Sequence, residues 1–164
     1  MMCHVFRYSE PVAWLTDDEQ RIWRNYLAMG TRLRAAMNRQ LQADCGLSLA
    51  DYEILVVLAE RDGARINELR DELGWEQSRL SHQLTRMRSR GLVKRSSSDD
   101  DRRGAVVALT DGGAQALKAA APGHAELVRS VLFDAIRPSQ LRALDAFTSE
   151  ALARLERRAA ATLA

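Results

Sequence analysis

Between Leu15 and Ala43 apolar residues recur at steps of three and four, at Ile22, Tyr26, Met29, Leu33, Met37 and Leu41. That period predicts one long amphipathic helix. Thr16 as N-cap with Glu19 three residues on forms a capping box at its start. The stripe is long and narrow for a chain of this size, the form of a helix that packs against a partner helix. Gly46 marks its end, and Ser48 with Asp51 caps a second helix from Leu49 to about Glu60, Leu47 and Tyr52 taking the apolar staple positions. Arg61-Asp62-Gly63 stops that helix. A short helix over Ile66 to Leu73, a break at Gly74 and a helix over Gln77 to Arg90 closed by Gly91 then form a helix-turn-helix pattern.

After Gly91 the period shortens to two. Leu92 to Arg95 predicts a strand, Ser96 to Gly104 a polar hairpin tip, and Ala105 to Leu109 the returning strand. Thr110-Asp111 caps a long alanine-rich helix, predicted to be interrupted near Pro122-Gly123 and to continue through Leu127, Val131 and Leu132. Pro138 opens the last helix, with Leu141, Leu144, Phe147, Leu152 and Leu155 as its apolar members. The expected fold is mainly α with a small β-hairpin wing, a winged helix-turn-helix with long N- and C-terminal helices. Residues 1–14 are an arm, 15–46 and 111–164 a helical region, and 47–110 the winged helix-turn-helix, all in one integrated domain.

Composition narrows the class. The chain of 164 residues is 46% hydrophobic and 28% charged, enough to build a core. Two cysteines, Cys3 and Cys45, make no disulfide scaffold and no zinc spacing. Neither a membrane-length apolar run nor a signal peptide is visible, so a cytoplasmic protein without membrane contact is expected. The net charge is only +2, yet Gln77 to Ser98 holds six basic residues, Arg79, Arg86, Arg88, Arg90, Lys94 and Arg95, and no acidic one. A basic island on an otherwise net-acidic chain is the footprint of a surface that meets phosphate.

On a wheel at 100° per residue, Leu80, Leu84 and Met87 of the 77–90 helix converge as a buried seam. The remaining surface carries guanidinium, amide, imidazole and hydroxyl groups but no carboxylate. These are the groups that read DNA: Arg matches the guanine O6/N7 edge, Gln the adenine N6/N7 edge, and Ser or Thr takes bases or phosphates. Residues early in a recognition helix lie deepest in the major groove. Arg79, His82 and Gln83 are therefore assigned to base edges, and Ser78, Ser81 and Arg86 to phosphates. At the hairpin tip, Asp101 and Arg103 share one strand face, where the carboxylate can orient the guanidinium, with Arg102 between them. An arginine held there suits the narrow minor groove.

Leu73-Gly74, Ser78, Gly91 to Arg95, Asp101-Arg102-Arg103-Gly104 and Val107 to Gly113 together resemble the multiple-antibiotic-resistance regulator (MarR) family of bacterial winged-helix repressors. Glu76 at the N-cap of the 77–90 helix and the Asp99-Asp100 pair depart from the family pattern. The resemblance implies a homodimer built by the long terminal helices, helix 77–90 in the major groove, and wing 96–104 in the minor groove with Arg103 as its contact. Two-fold symmetry then implies a pseudo-palindromic operator in double-stranded DNA, an inverted repeat of roughly 16 to 20 base pairs. It also implies release by a small aromatic or anionic effector, for which Trp14, Trp23, Tyr26, Met29 and Tyr52 are candidate pocket residues, although such side chains at helical spacing equally describe a core. A branch of the family senses oxidants through a cysteine, and Cys3 or Cys45 is the alternative trigger, though neither matches that branch's position. Loss of DNA binding in favour of protein contacts is a further alternative. No nucleophile motif, phosphate loop, paired-acid signature or cofactor motif points to an enzyme.

Overall fold

The computed structural model describes residues 14–96 and 106–162. Helix α1 spans Asp17–Cys45, α2 Leu49–Glu60, α3 Ile66–Leu73, α4 Gln77–Ser89, α5 Asp111–Val128 and α6 Pro138–Thr162. Strand β1 is Ala64–Arg65, β2 Val93–Ser96 and β3 Val106–Leu109. The chain divides into two compact units, the second beginning at Met37, within α1.

The predicted caps form. Thr16 Oγ1 accepts the Glu19 N–H at 3.3 Å while the Glu19 carboxylate accepts the Thr16 N–H at 2.7 Å, starting α1. Ser48 and Asp51 make the same reciprocal pair at α2. Helices α3 and α4 both stop at a left-handed glycine, Gly74 (φ +62°) and Gly91 (φ +69°). There the next N–H, of Trp75 or Leu92, turns back to the carbonyl of Arg70 or Met87.

The core lies in the second unit. Leu41 of α1, Ile54, Leu55 and Leu58 of α2, Leu69 of α3 and Leu80 and Met87 of α4 are fully buried, and Val93, Val107 and Ala120 join the same cluster. The seam drawn on the 77–90 wheel is thus the buried face of α4. The three strands form an antiparallel sheet in the order β1-β3-β2, with Val93 opposite Leu109 and Arg95 opposite Val107.

Two readings of the sequence need correction. Strand β1, with Ala64 opposite Val107, was missed: two residues are too few to show a period. And α5 is not interrupted at Pro122-Gly123. It runs unbroken to Val128 and passes into a single π-helical turn, Arg129–Phe133. Pro122 removes one donor, but packing on both sides carries the helix through: Ala120 is buried, and the His124 ring sits 4.4 Å from that of Tyr52 on α2. Gly123 lets Gln40 of α1 approach, since a Cβ there would lie 2.8 Å from Gln40 Nε2. The remaining differences are end effects: α1 reaches Cys45, Arg90 caps α4 rather than belonging to it, and β2 shifts by one residue.

Candidate nucleic-acid interface

Helix α4 is held by its apolar seam and by one buried carboxylate. Asp51, on the first turn of α2, is 1% exposed. Its Oδ2 accepts from the Ser48 N–H (2.9 Å), the Ser48 hydroxyl (2.8 Å) and Arg90 Nη1 (2.8 Å), and its Oδ1 accepts from Gln83 Nε2 (2.6 Å). Arg90 also donates through Nη2 to the Gly46 carbonyl at 2.9 Å. Burial pushes the Asp51 carboxyl upward, but the Ser48 backbone and hydroxyl bonds and the Arg90 guanidinium outweigh it and hold the group below its ordinary value. Asp51 is therefore an ionised acceptor, which sets the Gln83 amide with its nitrogen inward.

The other face of α4 is open. Ser78, Arg79, Ser81, His82 and Arg86 are all exposed, whereas Gln83 is half-buried because it leans onto Asp51. The Arg79 guanidinium stacks over the ring of Trp75 at 3.9 Å from its centroid, and Trp75 is itself buried. Stacking occupies the face of the guanidinium and leaves its in-plane donors at the edge. Glu76, the α4 N-cap, makes no side-chain cap bond, so its carboxylate does not close the helix's first amides. Beside α4 a cavity of about 130 Å³ opens between it and the sheet. Ser81, Thr85, Arg88, Lys94 and Arg95 line its rim over an apolar floor that includes Leu84 and Val93, with no carboxylate. Thr85, Arg88, Lys94 and Arg95 were absent from the candidate set. The charge of Arg88, Lys94 and Arg95 is visible in the sequence, but the convergence of all four depends on β2 lying beside α4.

The wing residues Asp101, Arg102 and Arg103 fall outside the described residues, as does Cys3. Cys45 is half-buried and its thiol donates to the Leu41 carbonyl at 3.1 Å. Of the suggested effector residues, Trp14, Trp23, Tyr26 and Met29 are exposed in the first unit, Trp23 and Tyr26 stacked at 5.8 Å; Tyr52 belongs to the second unit and packs on His124. Among the described residues no three His, Cys, Asp or Glu side chains converge as a metal site requires, and no helix is long and apolar enough to cross a membrane.

A model of the MarR family matches residues 46–104, the segment from Gly46 through the wing. Over 88% of its length the chain is 37% identical to AbsC, a MarR family transcriptional regulator from Streptomyces coelicolor, covering 99% of that structure with a TM-score of 0.81. The chain belongs to the MarR family. A second MarR regulator of that organism, Sco3205, solved in complex with DNA, is 38% identical with a TM-score of 0.80, over 88% of this chain and 91% of that one. An uncharacterized HTH-type transcriptional regulator of Bacillus subtilis strain 168, YfiV, is 27% identical over 71% of this chain and 73% of its own. These MarR and HTH-type relatives are transcriptional regulators rather than enzymes, and the α2-α3-α4 core with its three-stranded sheet is the winged helix of a MarR protein.

Proposed function

We propose that this MarR regulator is a homodimeric, sequence-specific repressor that binds an inverted-repeat operator in double-stranded DNA and is released by a small-molecule effector. The observation that carries the DNA reading is the outer face of α4: hydroxyl, imidazole and guanidinium groups with no carboxylate, on a helix anchored by Leu80, Leu84 and Met87. Arg79 and His82 read base edges, the Trp75 stack presenting the Arg79 donors as a fork suited to guanine O6/N7. One amide N–H of Gln83 is held by Asp51, which leaves its Oε1 and the second N–H for a base. Ser78, Ser81 and Arg86 contact phosphates.

With α4 in the major groove and the 96–104 wing in the neighbouring minor groove, one sugar–phosphate strand must pass between them. That strand lies over the basic cavity, so Arg88, Lys94 and Arg95 join the phosphate contacts. Asp101, Arg102 and Arg103 supply the minor-groove contact. The dimer reading rests on a different observation. All of the exposed large apolar side chains among the described residues fall in 14–29 or 131–155, and none in the winged helix. A second copy of the chain is the partner that covers them. The effector and the cysteine trigger rest on the resemblance alone.

Titration of a duplex, selected by the protein from a random library, at increasing salt tests the reading. A steep slope, about 0.9 in log K per log salt for each phosphate contact, and a large preference over unselected duplex are expected. Arg103→Ala lowers affinity while leaving the dimer intact; unchanged affinity removes the wing contact. Equal, salt-insensitive affinity for every duplex would instead favour a winged helix used for protein contacts.

A further inference from the structure

Asp51 is not part of any surface that could meet DNA, yet three segments converge on it: the loop that ends α1 through Ser48, the first turn of α2 that carries it, and α4 through Gln83 and its C-cap Arg90. Apolar packing is non-directional, and the α4 seam is one narrow stripe of three side chains, so the seam alone leaves rotation of the helix about its axis soft. Gln83 and Arg90 are seven residues apart, about 10.5 Å along the helix, on one flank. Both reach the same carboxylate, and bonds from two points two turns apart resist both rotation and tilt. The second Arg90 donor, on the Gly46 carbonyl, carries the constraint to the residue immediately after α1. Bonds to a carboxylate with little solvent around it are strong and directional, and an unpaired carboxylate there is costly.

We propose that Asp51, with Arg90 and Gln83, is a positioning clasp that sets the pose of the recognition helix relative to the end of α1, and thereby the spacing between half-sites that the regulator accepts. The inference rests on the dimeric DNA-binding reading above. In a two-fold dimer whose long helices form the seam, the angle between α4 and the end of α1 decides where each recognition helix meets its groove. One added base pair turns a half-site by roughly 35° and moves it about 3.4 Å. A rigid clasp penalises that shift; a loosened one absorbs it by rotating α4. Gln83 is then a strut of the clasp in addition to what its Oε1 contacts.

The test uses full-length protein and an inverted-repeat duplex that the wild type selects from a random library, remade with its spacer changed by one and two base pairs. Wild-type affinity is expected to fall at least tenfold for a one-base-pair change. In Asp51→Asn and Arg90→Met the same change is expected to cost under threefold, and the double variant to behave as either single one. Arg90→Lys, which keeps a charge for Asp51 but lacks the fork that reaches Gly46, serves if Arg90→Met does not fold. Val57→Ala, a core truncation on α2 away from the clasp, is expected to lower the melting temperature and keep the wild-type spacer dependence.

An unchanged spacer dependence in the clasp variants overturns the proposal, as does equal flattening in Val57→Ala. A uniform loss on every duplex with a salt slope lower by about one makes Arg90 a phosphate contact and also overturns it. If the wild type selects no sequence at all, the DNA reading fails and the clasp proposal with it; spacer-selective wild type with equally selective variants sinks only the clasp.

Discussion

At the residue scale, Gly113 and His124 show how much a single side chain depends on neighbours far along the chain. Thr110 caps α5 by accepting the Gly113 N–H at 2.9 Å, while its own hydroxyl donates to the Gly91 carbonyl. This pulls the helix start so close to the end of α4 that a Cβ on Gly113 would lie 2.0 Å from the Leu92 carbonyl oxygen. The obstacle is backbone, so Gly113→Ala is expected to destabilise the fold by about 3 kcal/mol, read as a lower urea midpoint. An alanine at Gly123, facing the movable side-chain ends of Gln40 and Asp44, is expected to cost far less. His124 is held below its ordinary pKa by burial. The unfolded chain takes up this proton near pH 6.5 and the folded chain only at lower pH, so stability falls as pH drops from about 6.5 through the folded value and is unaffected above it. Melting temperatures between pH 5 and 7.5 are expected to show that fall in the wild type and a flatter profile in His124→Gln.

The helices show what an element tolerates when packing supports it. In α5, Pro122 is exposed and lies mid-helix, yet buried Ala120 and the contact of His124 with Tyr52 keep the helix continuous. Pro122→Ala restores the missing donor without touching the core and is expected to stabilise the protein by about 1 to 3 kcal/mol in urea unfolding. In α4 the division of labour between faces sets the expected phenotypes. Arg79→Ala is expected to relax sequence preference as well as affinity, by about 1 to 3 kcal/mol, in a competition between selected and altered duplexes. Arg88→Ala, on the rim of the basic cavity, is expected to weaken all duplexes alike and to lower the salt slope by about one.

On the scale of the whole molecule, apolar exposure and charge are separated along the chain. The winged helix buries its apolar residues and presents basic ones, whereas α6 leaves Phe147, Leu152 and Leu155 at least 60% exposed. The proposed dimer covers that surface on each chain of 18.4 kDa. Sedimentation is expected to give about twice this mass. Leu155→Glu and Phe147→Glu together are expected to yield monomers that keep the helical circular dichroism of the winged helix but bind the selected duplex at least a hundredfold more weakly, because two half-sites are no longer held by one particle.

The sequence by itself determined the elements and the surfaces. Periods of 3.6 and 2, two capping boxes and the glycine stops placed six helices and the hairpin within a few residues, since these signals are local and a wheel suffices to say which side of α4 is buried. The six-residue basic island likewise needed only counting. Long-range pairings left no such trace. Nothing in the run from Gly46 to Arg90 announces that Gln83 and Arg90 meet on Asp51, 32 and 39 residues away, or that Gln83, chemically suited to adenine, has its amide nitrogen engaged. The two-residue strand β1, the passage of α5 through Pro122 and the gathering of Arg88, Lys94 and Arg95 around one cavity were decided in the same way. Each depends on which segments the folded core brings together, and only the tertiary structure holds that information.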